Sequence, residues 1–118
     1  TDALPAQVGA VWYDEAIDLA QPFDVQFKMN FGDNQGTGSS TNPGGDGMMF
    51  VMQTIGPSAI GALGQGMGFQ GLLPSLGIEF DTYLNPDVGD LIQDHIGIIS
   101  DGIVDHTAAT AIATATIV

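Results

Sequence analysis

Residues 78–98 read "IEFDTYLNPDVGDLIQDHIGI", and this stretch decides the fold. It continues an alternating run, "SLGIEFDTY" over residues 75–83. A strand period sets Leu76, Ile78 and Phe80 on one face and Glu79, Asp81 and Tyr83 on the other. Pro86 and Gly89 then force turns, and His95 opens a second apolar run, "HIGI". Two strands joined by an acidic loop is the simplest reading. The chain has only two glutamates and two histidines, and one of each falls here, with Asp81, Asn85, Asp87, Asp90 and Asp94 between them.

Carboxylates at i and i+2 of a strand lie ~7 Å apart, near enough to repel unless something positive sits between them. Asp90 can fold back towards Asp81, and pairing the two strands brings the His95 imidazole over the same spot. Carboxylates, an amide oxygen and a backbone carbonyl are hard donors suited to Ca²⁺. One imidazole added to carboxylates and water suits a six-coordinate transition ion such as Mn²⁺. A double site would share Asp81 and Asp90 as bridges. The plain alternative is a polar loop whose acids are solvated, with His95 at a strand edge. Placing Glu79 and Asp81 on one strand face, with a histidine after a turn-rich acidic loop, weighs against it. An EF-hand does not fit, because no acid stands where its closing glutamate would fall.

The rest of the chain bounds the reading. Its 118 residues suit one small domain, and 44% hydrophobic residues with mean hydropathy +0.22 allow a core. Fourteen acids face one base, Lys28, for a formal charge of −13. That excludes nucleic acid, whose binding rests on Lys and Arg neutralising phosphates, and disfavours anionic membrane surfaces. Cations, neutral ligands and basic partners remain. With no cysteine there are no disulfides, thiol catalysis or thiolate zinc sites. No apolar run reaches the ~18 residues a membrane span needs, so no membrane insertion is expected. The start, "TDALPAQVGAVWY", does not read as a signal peptide, so any such peptide is expected to be removed or left out.

Seventeen glycines, six prolines and many β-branched and aromatic residues point to strands with long turns. "DVQFKMNF" alternates, with Val25, Phe27, Met29 and Phe31 on one side, and reads as a half-buried strand. "GAVWYDEAIDL" reads as one or two short strands turning near Asp14 and Glu15, and residues 32–47 as a long exposed loop. "MMFVMQ" gives a buried strand, followed by a glycine-rich loop. In "HIGIISDGIVDH" the Asp101-Gly102 pair between apolar runs predicts a tight hairpin. The tail over residues 107–118, Ala/Thr-rich, reads as strand or linker. Antiparallel strands joined by long loops make an all-β chain, an antiparallel β-sandwich.

"IEFDTYLNPDVGDLIQDHIGI" closely resembles the metal-binding segment of L-type (legume-type) lectins. Members of that family carry Glu-x-Asp-x-aromatic-x-Asn, then an Asp, then a His opening an "HIGI" strand. "GAVWYDEAIDLAQPFDVQFKMNF", "GGDGMMFVMQ" and "GALGQGMGFQG" extend the resemblance, which covers about residues 9–106. It implies a concanavalin A-like jelly roll over residues 1–106 and a secreted or cell-surface lectin. It implies a transition-metal site from Glu79, Asp81, Asp90 and His95, and a calcium site from Asp81, the Tyr83 carbonyl, Asn85 and Asp90. It implies a sugar site in which Asp46 and Asn85 bond hydroxyls, a backbone N–H of residues 64–68, around Gly66, assists, and Tyr83 stacks on the ring. A cis bond before Asp46 is also implied, with Gly45 where alanine is more usual. Sandwiches of this kind run to ~200–250 residues, so the fold is expected to be incomplete in this chain, shortened, or completed by a second chain or oligomer.

Other motifs carry less. "GMGFQG" matches a dinucleotide fingerprint but follows no βα unit. No G-x-S-x-G elbow occurs. A glycosidase on the same sandwich would need a second glutamate where Tyr83 and Leu84 stand, so no enzyme is expected. Trp12, Tyr13, Phe23, Met48, Met49 and Met52 read as core, and His106 as a surface residue. The alternative function is a structural or adhesive surface protein in which metals only brace the loops.

Overall fold

The structure is a computed structural model that describes residues 6–31 and 45–117. Four strands form one antiparallel sheet in the order β1-β2-β3-β4: Gly47–Gln53, Ser75–Asp81, His95–Ser100 and Ala111–Thr116. Among the described residues there is no α-helix, only 3₁₀ turns at Gly64–Gly66 and Pro86–Val88. The all-β class expected from the sequence is what the chain adopts. A second sheet facing the first is not present among the described residues.

The two faces of this sheet are unequal. Met48, Phe50, Met52, Leu76, Ile78, Phe80, Ile96 and Ile98 are only half-buried. The opposite face carries Gly77, Glu79, Asp81, His95, Gly97 and Ile99, all buried. Phe69 and Val104, delivered by loops, pack with Ile99 against Met49, Val51, Val88 and Ala111. The best-covered side of the sheet is thus the side that bears the acids. The half-covered side is lined by the strand residues whose alternation announces a core.

Three elements depart from the sequence reading. Residues 24–31 form no strand, and Phe27 instead stacks on Phe50 with ring centroids 5.2 Å apart. The alternation there serves to lay one aromatic on the half-covered face, not to add a ladder. Residues 9–19 bend at Asp14 and Glu15 without strands. Trp12 Nε1 donates to Ala59 O at 2.7 Å, but Tyr13 and Phe23 stand 73% and 49% exposed, outside the core. The predicted turn forms, since Asp101 and Gly102 have φ of 59° and 66°. Yet residues 103–106 do not return as its second strand. Val104 turns into the core and His106 N donates to Val88 O at 2.9 Å, so β4 takes the free edge of β3 instead. The tail is therefore a strand over Ala111–Thr116, with a register shift at Ile98/Ile99. Most of the predicted long loop, residues 32–44, lies outside the described residues.

Candidate metal centre and adjoining polar site

Register builds the centre. In the β2–β3 ladder Glu79 faces Gly97 and Asp81 faces His95, so two carboxylates and an imidazole share one buried patch. A methyl on Gly97 would stand 2.1 Å from Glu79 Oε1. The bare backbone at residue 97 is what lets the carboxylate lie across β3. Pro86–Val88 and Gly89 then carry the chain through a turn that returns Asp90. Asp90 Oδ2 accepts the Asn85 N–H at 2.6 Å, and Asp81 Oδ1 accepts the Tyr83 N–H at 2.7 Å. Asp87 and Asp94 point to solvent, so the acidic loop divides into inward-facing and solvated members.

Two groups of donor atoms result, Asp81 with Asp90 and His95, and Glu79 with His95 and His106, each within 4.8 Å of one another. Glu79, Asp81 and His95 are 1%, 2% and 1% exposed. Burial pushes the Asp81 carboxyl up to about 7, against the lowering effect of the Tyr83 N–H and with help from Asp90, Glu79 and Asp46. Burial also raises the Asp90 carboxyl, which hydrogen bonding from Asn85 and the nearby His106 and His95 partly offset.

His106 was expected at the surface and is not there: its side chain is 6% exposed, with Nε2 2.8 Å from Glu79 Oε1 and 3.4 Å from Asp90 Oδ1. Hairpin count from the reversal at Asp101 and Gly102 would set residue 106 opposite Gly97, but residues 103–106 do not pair with β3, so no sequence signal places it at the centre.

Donor chemistry fits a cation. Asn85 Oδ1 is buried without a hydrogen-bond partner, and the buried Glu79 Oε1 has the His106 imidazole at 2.8 Å. Leaving buried acceptors unsatisfied costs ~1–3 kcal/mol each, more for a charged group. An ion coordinated by those oxygens removes the cost. Glu79, Asp81, Asp90 and His95 offer the mixed carboxylate and imidazole donors of a transition ion, and Asp81, Asn85 and Asp90 the oxygens of a calcium ion.

Asp46 sits beside this centre. The Gly45–Asp46 peptide is cis, and Asp46 O accepts the Thr82 N–H at 3.0 Å. Tyr83 fills the space a side chain on Gly45 would need, with its Cβ only 2.5 Å from that position. Burial raises the Asp46 carboxyl, partly offset by its own backbone N–H and by a hydrogen bond from the Asn85 side chain. From the glycine loop, Gly64 borders Asp46 Oδ2, at 3.8 Å from where its Cβ would stand. Gly66 is buried and its N–H donates to Leu63 O at 3.3 Å. Tyr83 keeps 37% of its surface exposed. Asp46, Asn85, Tyr83 and the loop at Gly64 thus meet next to the acid cluster, while Gly66 faces inward.

A family model described as the legume lectin β-barrel domain matches residues 1–116, nearly the whole chain.

Proposed function

The chain belongs to the legume-type (L-type) lectin domain family, and from that premise we propose that it is a metal-dependent carbohydrate-binding module. Calcium and a divalent transition ion would hold residues 81–95 and the Asp46 loop together, so that a neutral sugar meets a preformed polar site. The transition ion would take Glu79, Asp81, Asp90 and His95, and calcium Asp81, the Tyr83 carbonyl, Asn85 and Asp90. When bound, the ions supply positive charge that relieves repulsion among the buried acids.

The observation that carries this reading is Asn85. Its side chain hydrogen-bonds the Asp46 carboxylate, and its Oδ1 is buried without a partner beside the acids. One residue therefore ties the sugar-facing carboxylate to the ion centre. Asp46 would accept hydrogen bonds from two hydroxyls, the Asn85 amide would donate, and the exposed Tyr83 ring would cover the C–H face of the sugar. Recognition by fixed dipoles, with no second carboxylate placed across a glycosidic bond, suits binding and not turnover.

A lectin domain of this family suits a secreted or cell-surface setting. The half-covered apolar face suits contact with other chains, in an oligomer or with a second chain that completes a sandwich. A glycan array at saturating calcium tests the reading. The chain should retain a defined set of glycans, and Asp46→Ala and Asn85→Ala should each abolish binding. Retention of no glycan would favour a structural or adhesive protein braced by its metals, and polysaccharide turnover would favour a hydrolase.

A further inference from the structure

We propose that His106 is a second imidazole ligand of the transition-ion site, which makes the site one for a zinc-like ion (zinc, cobalt or nickel) in preference to manganese. This rests on the metal-dependent reading above and adds a residue and a selectivity to it.

The distances carry the first part. Ligand atoms ~2.1 Å from one divalent ion stand roughly 3.0 Å apart along an octahedral edge and roughly 3.4 Å along a tetrahedral one. His106 Nε2 lies 2.8 Å from Glu79 Oε1, 3.3 Å from His95 Nε2 and 3.4 Å from Asp90 Oδ1, and His95 Nε2 lies 3.6 Å from Glu79 Oε1. These are the spacings of atoms around a common centre.

Proton placement carries the second. His95 Nδ1 lies 3.2 Å from Gln93 O, which can only accept, so Nδ1 bears that ring's hydrogen. The other ring nitrogen, Nε2, then faces the centre. His106 Nδ1 lies 3.2 Å from Thr114 Oγ1 on β4, which can accept in the same way. Two imidazole nitrogens and two carboxylates then face one another, among them the buried Glu79 Oε1 and Asp90 Oδ1. A proton on His106 Nε2 satisfies one pair, that with Glu79 Oε1. A divalent cation satisfies all four. Histidines whose outer nitrogen is tied to a carbonyl or hydroxyl are oriented as metal ligands are.

Donor type carries the third. Carboxylate and water suit manganese, whereas each added imidazole shifts preference towards zinc, nickel and copper. The Ca²⁺ donors Asp81, Tyr83, Asn85 and Asp90 do not include His106, so the two ions can be separated by experiment.

The full chain, stripped by chelator and reloaded with Co²⁺ at saturating Ca²⁺, is read by X-ray absorption at the cobalt edge, with zinc and manganese competed in parallel. Two imidazoles per cobalt and a preference for zinc over manganese are expected. His106→Gln should leave one imidazole and weaken zinc by at least about 10-fold, with calcium affinity unchanged. One imidazole in the unaltered chain, or zinc affinity unchanged in His106→Gln, overturns the assignment while the metal-dependent reading stands. Failure of the unaltered chain to take up any transition ion overturns both.

Discussion

At the scale of single residues, the centre depends on where side chains are missing as much as on where they stand. Glu79 reaches across β3 towards the two imidazoles because Gly97 gives up its own side chain. The atom a Gly97→Ala methyl would meet is the far end of a flexible side chain, so Glu79 can swing aside. We expect Gly97→Ala to cost ~1 kcal/mol or less in a denaturant titration of the metal-free chain, yet to lower transition-ion affinity at least about 10-fold. Equal affinity in calorimetry would mean that Glu79 is not a ligand.

Asp81 sets the pH dependence. Its carboxyl is pushed up to about 7 from an ordinary value of 3.8. Between those limits the folded metal-free chain holds a proton that the unfolded chain releases. Stability of the metal-free chain should therefore fall as pH rises through that window. Ion binding displaces the same proton, so metal affinity should rise over the same range and level off above about 7. Urea midpoints of chelated protein at either end of the window check the first sign, and a higher midpoint at the alkaline end contradicts it.

At the scale of elements, β1, β2 and β3 and the turn at Asp101 and Gly102 were legible because alternation and a Asp-Gly pair report local backbone preference. The pairing Glu79 with Gly97, and so the site, follows from register alone once those strands are placed. What alternation cannot report is whether a partner strand exists. Residues 24–31 alternate as cleanly as β2, but no ladder receives them. Residues 103–106 leave the hairpin because Val104 gains a buried place against Phe69 and Ile99. That departure delivers His106, which sequence reading assigned to the surface. The Ala/Thr tail lacked a hydrophobic pattern and became an edge strand through hydrogen bonding to β3. Gly102 holds this corner: its φ is +66°, and an added Cβ would stand 2.5 Å from the Leu72 nitrogen. Backbone, unlike the Glu79 carboxylate, cannot swing away. Gly102→Ala should destabilise by about 2 kcal/mol or more and displace His106, seen as a lower denaturant midpoint with weaker zinc binding. A midpoint unchanged from that of the parent chain would mean that the corner tolerates a side chain.

At the scale of the whole molecule, a formal charge of −13 is distributed so that several acids lie inside. Among the described residues the fully buried apolar set is small, Phe69, Leu72, Ile99 and Val104, and Glu79, Asp81 and His95 are buried with it. Ions bound in such an interior would hold it together as much as its hydrophobic contacts do. An ion present at 100 times its Kd adds ~2.7 kcal/mol, a large share of the stability of so small a domain. Thermal unfolding should shift down on chelation and recover on adding calcium with zinc, and recovery should be incomplete with either alone. The other face of the sheet, with Met48, Phe50, Leu76 and Ile98 half-covered, should draw chains together. Light scattering should give a mass above the 12.2 kDa of one chain, and a compact monomer would remove the proposal of association.

The most direct test of the central claim is elemental analysis of the full chain after saturation with calcium and a transition ion and exhaustive dialysis. Buried acids and imidazoles arranged as ligands predict close to one calcium and one transition ion retained per chain, both lost in Asp81→Asn. A chain that keeps its fold and retains neither ion would contradict the account.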